Sequence, residues 1–167
     1  MENKICIDQM LPEDWEQVRR IYIEGIDTGH ATFEKEIPSW KSWNTVHSPD
    51  CRIVARSKEK ILGWAAISPV SERNVYAGVA EVSVYVSQFS MGKGIGNLLL
   101  QALINKSEEN GFWTLQSGIF PENVASLKVH YKNGFREVGR RERIGKMDGI
   151  WRDTILLERR SENTGIH

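Results

Sequence analysis

What is scarce in this chain narrows its chemistry first. Among 167 residues there are two cysteines, Cys6 and Cys51. They form no CxxC pair, and no Cys/His cluster has zinc spacing, so no metal site is expected. One Cys6–Cys51 disulfide is left open by the sequence, beside the plainer reading of two free thiols in a reducing compartment. Long apolar runs are also lacking. No stretch approaches the roughly 20 apolar residues that a membrane span needs. The opening MENKICIDQM has no apolar segment of the kind a secretory leader carries. No membrane partner is therefore expected, and the cytoplasm is the expected location. An excess of one charge is missing too: 22 Lys and Arg balance 22 Asp and Glu. The basic run over residues 136–143 is interrupted by Glu137 and Glu142. The charge pattern thus gives no case for a nucleic-acid partner. Internal repeats, low-complexity tracts and linkers are absent from the pattern as well.

What is present is the composition of an ordinary globular protein, 40% hydrophobic and 26% charged. The length fits one domain over residues 1–167, large enough to bury a core without staples. Residues 4–7 alternate as a short first strand should. Pro12-Glu13-Asp14 opens a helix whose apolar face is Trp15, Val18, Ile21 and Tyr22. Residues 25–37 show no period and are expected to form a long loop, with a short helix after Pro38. Residues 52–56 and 61–67 read as two strands joined by a polar turn. Residues 80–86 are the most strand-like segment. Val82, Val84 and Val86 face one way there, and Glu81, Ser83 and Tyr85 the other.

A glycine turn follows, then a helix over 94–110 with Ile95, Leu98, Leu99, Ala102 and Leu103 as its apolar face. Gly111 is its expected stop. Residues 114–119 read as a strand, 123–133 as a helix ending at Gly134, and 135–144 and 152–157 as two final strands. The expected fold is a mixed α/β (α+β) sheet of about seven strands flanked by about four helices in one domain.

The sharpest chemical signal is Gly92-Lys93-Gly94-Ile95-Gly96 between a strand and a helix. Glycines allow close backbone approach, and the first N–H groups of the helix have no internal partner, so such a turn suits a phosphate. Two motifs fail here. The dinucleotide fingerprint needs a glycine where Asn97 stands and an acid about 20 residues on. The nucleoside-triphosphate loop needs Ser or Thr after the lysine, and Gly94 follows Lys93.

Residues 81–86 followed by Gly92 to Leu99 resemble the CoA-binding core of the GNAT superfamily of N-acetyltransferases. That pattern is Q/R-x-x-G-x-G/A, matched at Gly94 and Gly96, with Met91 as a departure at its first position. A second block, Asn123 to Phe135, is similar to the family's N-x-x-[AS] helix. Asn123, Ser126 and His130 share one face of it, and His130 stands where many relatives have a tyrosine. The resemblance implies acetyl-CoA as co-substrate, held by Val84, Tyr85, Val86, Gly92, Lys93, Gly94, Ile95, Gly96, Asn97, Asn123 and Ser126. It implies that the pyrophosphate is held by backbone N–H groups, which the change at Met91 leaves in place.

Further stretches resemble the phosphinothricin N-acetyltransferase group. They are Thr32-Phe33-Glu34, Arg73-Asn74-x-Tyr76, Glu81-x-Ser83-Val84-Tyr85-Val86, His130 and Gly149-x-Trp151-x-Asp153. The likeness runs over residues 5–159. It implies acetylation of the α-amine of an amino-acid analogue such as phosphinothricin, methionine sulfoximine or methionine sulfone, by a homodimer. Phe33, Glu34, Arg73 and Tyr76 are the implied substrate-binding residues. Arg73 offers a fork suited to a carboxylate. Glu81 is the candidate general base, acting directly or through water, and His130 the candidate acid or auxiliary base. The backbone N–H near Val84 would polarise the thioester carbonyl, and transfer would be direct, in a ternary complex. Two alternatives stand beside this: a GNAT enzyme for another small amine, expected to have an acidic pocket, and a non-catalytic acyl-CoA-binding module.

Overall fold

The computed structural model describes residues 4–167. One seven-stranded sheet organises them, in the order β1-β2-β3-β4-β5-β7-β6. The strands are β1 (Cys6–Gln9), β2 (Arg52–Ser57), β3 (Lys60–Pro69), β4 (Val79–Val86), β5 (Thr114–Ile119), β6 (Arg136–Met147) and β7 (Ile150–Arg160). The helices are α1 (Trp15–Thr28), α2 (Trp40–Val46), α3 (Ile95–Glu109) and α4 (Val124–Lys132). All neighbouring strands are antiparallel except β4 and β5, which are parallel and joined through α3. Among the described residues no helix is long and apolar enough to cross a membrane.

Strand alternation divides the core between the two faces of the sheet. On one face Ile53, Ala65, Ile67, Ala80 and Val82 pack against Leu99, Leu100 and Leu103 of α3. On the other face Val54, Trp64 and Ala66 meet Val18 and Ile21 of α1 and Trp43 of α2. Tyr85 belongs to this second face, stacked on Trp64 at 4.9 Å and on Tyr22 at 5.0 Å. The α1 face expected from spacing is thus the one that is used. Cys6 is exposed and Cys51 buried, both as free thiols.

Four expectations need correcting. The first strand starts at Cys6 rather than residue 4, because its ladder begins where Cys6 meets Arg56. Residues 25–28, expected as loop, are the last turn of α1, which stops at Gly29 in the left-handed conformation. Gly25 misled because it is a packing glycine: a Cβ there would lie 2.6 Å from the Tyr85 ring. In α3, Leu98 is 40% exposed, whereas Leu100 and Ile104 are buried. Both flanks of that helix are apolar, and docking on the sheet selects one. Finally, β6 and β7 extend to meet at a two-residue Asp148-Gly149 turn, with φ 50° and 80°. Asp-Gly is a strong hairpin signal because both central residues need positive φ, and it was present to be read.

Gly25 yields a test. Gly→Ala inside a helix ordinarily stabilises by about 1 kcal/mol. Here the methyl would collide with a ring held between two others, and overpacking costs about 1–3 kcal/mol. We expect Gly25→Ala to lower the urea-unfolding free energy; a gain would show that the ring yields.

Candidate active site

The site exists because β4 and β5 part. They pair only over Val79–Thr114, Ala80–Leu115 and Glu81–Gln116. Beyond Glu81 the strands diverge, and α4 is laid against the opening. Two cavities meet there. One, of about 600 Å³, is lined by β4, the glycine turn and α4. The other, of about 360 Å³, is lined by residues from both faces of the sheet, so it passes through the gap. Ala31, Val84, Tyr85, Asn123, Ser126 and His130 line both cavities.

The larger cavity is built for an anion at one end. Gly92 and Gly94 have φ of 78° and 77°, which side-chain-bearing residues rarely adopt. Gly94 is the N-cap of α3 and offers no side-chain cap, and the first helical bond runs from the Leu98 N–H to the Gly94 carbonyl at 3.1 Å. The N–H groups of Ile95, Gly96 and Asn97 therefore have no partner within the helix. Of the residues expected to hold the cofactor, Val84, Tyr85, Val86, Gly92, Gly94, Ile95, Gly96, Asn97, Asn123 and Ser126 line this cavity, and Lys93 does not. Met91 lines it and is 62% exposed.

On α4 the polar stripe is present. Asn123 caps the helix, its Oδ1 accepting from the Ser126 N–H at 3.3 Å, while its Nδ2 donates to the His30 carbonyl at 3.3 Å. It thus also ties down the loop after α1. His130 is 3% exposed. Its Nδ1 lies 2.7 Å from the Ser126 carbonyl, an acceptor, so Nδ1 carries the proton. Nε2 is then an acceptor, buried without a partner. Burial, opposed by that backbone bond, pushes the imidazole below its ordinary value of 6.5. A neutral His130 in this tautomer has no proton on Nε2 to give.

Phe33, Glu34 and Glu81 line the smaller cavity. Phe33 sits edge-on to Phe120 at 4.8 Å. Arg73 and Tyr76 line neither cavity; they lie in the β3–β4 connection, with the Arg73 guanidinium 5.5 Å from the Tyr76 ring centre. No Arg or Lys lines the smaller cavity, while Glu34 and Glu81 do. Tyr22, Thr32, Ser68, Ser117 and Thr154 supply hydroxyls, and His47 an imidazole. Burial first of all raises the Tyr22 and Tyr85 phenols, so both remain donors. Trp151, by contrast, is 55% exposed, with the Lys146 ammonium 5.7 Å from its ring. The sequence reading missed the hydroxyls and His47. Apart from Thr32, which stands in the Thr32-Phe33-Glu34 stretch, they come from α1, β3, β5, β7 and the residue after α2, and no local motif joins them.

Residues 13–135 match the Acetyltransferase (GNAT) family. The chain belongs to the GNAT acetyltransferase family. It is 30% identical over 157 residues to the phosphinothricin N-acetyltransferase of Alcaligenes faecalis, covering 88% of this chain and 78% of that protein. It is 32% identical over 99 residues to the L-methionine sulfoximine/L-methionine sulfone acetyltransferase of Pseudomonas paraeruginosa, covering 59% of this chain and 58% of that protein. Its fold superposes with TM-score 0.87 on a GNAT superfamily phosphinothricin acetyltransferase from Sinorhizobium meliloti solved with AcCoA, at 26% identity, covering 98% of this chain and 91% of that one. This GNAT chain is an acetyl-CoA-dependent N-acetyltransferase.

Burial also lowers His47, against a bond to the Trp43 carbonyl. Both imidazoles bind a proton less readily in the folded chain than in the unfolded one. The stability this confers is complete above pH 6.5, the ordinary value, and is lost as pH falls through the depressed folded values. We expect the urea-unfolding free energy to drop below pH 6.5, and His130→Phe to remove part of that drop. An identical slope in the variant would show that His130 titrates normally.

Proposed function

We propose that this chain, working as one unit over residues 1–167, acetylates the α-amine of a small amino-acid analogue of the phosphinothricin, methionine sulfoximine or methionine sulfone type. The observation that carries this reading is the junction of the two cavities. Acetyl-CoA in the larger one would present its thioester where six residues also line the smaller, acidic one. Direct transfer follows from what the junction offers. Neither cysteine lines a cavity, and Ser126 has no base to activate it, because the nearby His130 Nδ1 donates rather than accepts.

In the proposed mechanism the substrate ammonium enters between Glu34 and Glu81. Glu81 is three residues before Val84, a separation of about 10 Å along a strand. It therefore takes the ammonium proton through water. The neutral amine attacks the thioester carbonyl, which the Val84 N–H polarises. The tetrahedral intermediate gives up its remaining N–H⁺ proton to His130 Nε2 or to water, collapses to the amide, and releases CoA as thiolate. With Nε2 bare, His130 serves as the acceptor or auxiliary base rather than the donor. Since a thiol has a pKa of about 8.5, the thiolate can take its proton from water.

Arg73 has no carboxylate partner among the described residues. We assign it, with Tyr76, to the substrate carboxylate. The acidic lining favours a second reading, a small amine without a carboxylate. We further propose a homodimer covering Ile144, Ile150 and Trp151, exposed around the β6–β7 turn, and a cytoplasmic location consistent with two free thiols.

Kinetics on phosphinothricin, methionine sulfoximine and methionine sulfone, beside carboxyl-free 3-(methylsulfonyl)propylamine, separate the two readings. We expect the amino acids to be preferred. Equal kcat/KM for the carboxyl-free amine would favour the second. Glu81→Gln should lower kcat/KM by about 10²–10⁴-fold; wild-type values across about pH 6 to 9 would remove its role as base. Arg73→Ala should raise KM with little change in kcat, as a lost binding contact does.

A further inference from the structure

His47 lines the amine cavity, and the mechanism gives its imidazole no step. It follows the last turn of α2, and the chain there is fixed to β3 by the Ser48 N–H donating to the Ile67 carbonyl at 2.9 Å. Ser68 is the next residue on β3, and it pairs across the sheet with Glu81. His47 therefore stands on the same wall as Glu81, separated from it by one strand. It lines only the smaller cavity, not the junction where the thioester would lie. What it meets is the part of the substrate away from the reacting amine.

Three contacts fix the ring. Its Nδ1 is 2.8 Å from the Trp43 carbonyl, which can only accept, so the proton is on Nδ1. The imidazole stacks on Trp43 with centroids 4.2 Å apart and planes at 23°. It also meets Trp64 edge-on at 6.4 Å and 88°. Nε2 is left with its lone pair and no hydrogen bond within the protein, and it is not among the buried unpartnered atoms. The ring that carries it is part of the wall of the smaller cavity. The charged groups sharing that cavity, Glu34 and Glu81, are acceptors as well.

We propose that His47 determines specificity in the amine cavity, its Nε2 lone pair accepting a hydrogen bond from an N–H or O–H group on the substrate side chain. This rests on the amino-acid reading given above. Burial keeps the imidazole below 6.5 and so neutral at pH 7.5, where the lone pair is free. The side chains named by the relatives differ in the relevant group. A sulfoximine carries an S=N–H donor. The sulfone, nearly the same shape, has two oxygens that only accept. A phosphinate is anionic and, like the sulfone, offers no donor. A buried acceptor left unpaired is costly, and this makes such a site discriminate against an analogue that lacks the donor.

The test is the ratio of kcat/KM for L-methionine sulfoximine to that for L-methionine sulfone at pH 7.5, in wild type, His47→Phe and His47→Gln. Phe can keep the stack on Trp43 but has no lone pair; Gln restores an acceptor. We expect wild type to favour the sulfoximine by about tenfold or more. His47→Phe should bring the ratio to about one, and His47→Gln should recover part of the preference. A ratio unmoved by His47→Phe, or one near unity in wild type, overturns the assignment but leaves the amino-acid reading standing. Turnover of neither compound by wild type overturns both. If His47→Phe fails to fold, the His47→Gln ratio and the wild-type ratio decide.

Discussion

The divergence of β4 from β5 is the constraint from which the rest of this molecule follows. Parallel strands joined through a helix normally stay paired, because unpaired backbone groups inside a protein are costly. Here the ladder lasts for three residue pairs and stops at Glu81 and Gln116. The stretch Val82 to Val86 keeps its partner β3 on one side and gives up the other. On that open edge Val84 and Tyr85 line both cavities. The gap also joins the two faces of the sheet, the side of α3 and α4 and the side of α1 and α2.

Two histidines show how the surroundings, rather than the residue type, set chemistry. His130 and His47 each donate Nδ1–H to the carbonyl four residues earlier, Ser126 and Trp43 respectively. Each is pushed toward the neutral form by burial. The shared device fixes both as acceptors at Nε2. At His130 the bare nitrogen lies on a residue that lines both cavities. At His47 it puts an acceptor on the substrate wall. With Glu34 and Glu81 the amine cavity is rich in acceptors and takes its donors from Tyr22, Tyr85 and small hydroxyls.

Local rules made much of the fold legible. Alternation along residues 80–86 assigned the two faces of β4 correctly, since side chains on a strand have a period of two. The span of β5 and the glycine stops of α3 and α4 were equally plain. The misreadings came where long-range contact overrides local preference. Gly25 reads as a helix end but makes room for Tyr85, sixty residues away in sequence. Leu98 reads as core, yet the flank of Leu100 and Ile104 is the one the sheet covers.

By itself the sequence determined the glycine turn before α3, the polar stripe of α4 and membership of the GNAT family. Each is a local pattern, with glycines before a helix or polar residues three and four apart, and local patterns survive without coordinates. Only the tertiary structure decided which way Nε2 of each histidine is presented, that Arg73 stands outside the cavity wall, and that His47, Ser68, Ser117 and Thr154 share a pocket. Those facts depend on where β3, β5, β7 and α2 lie against one another. No spacing along the chain encodes that, because the contacts are set by packing across the sheet.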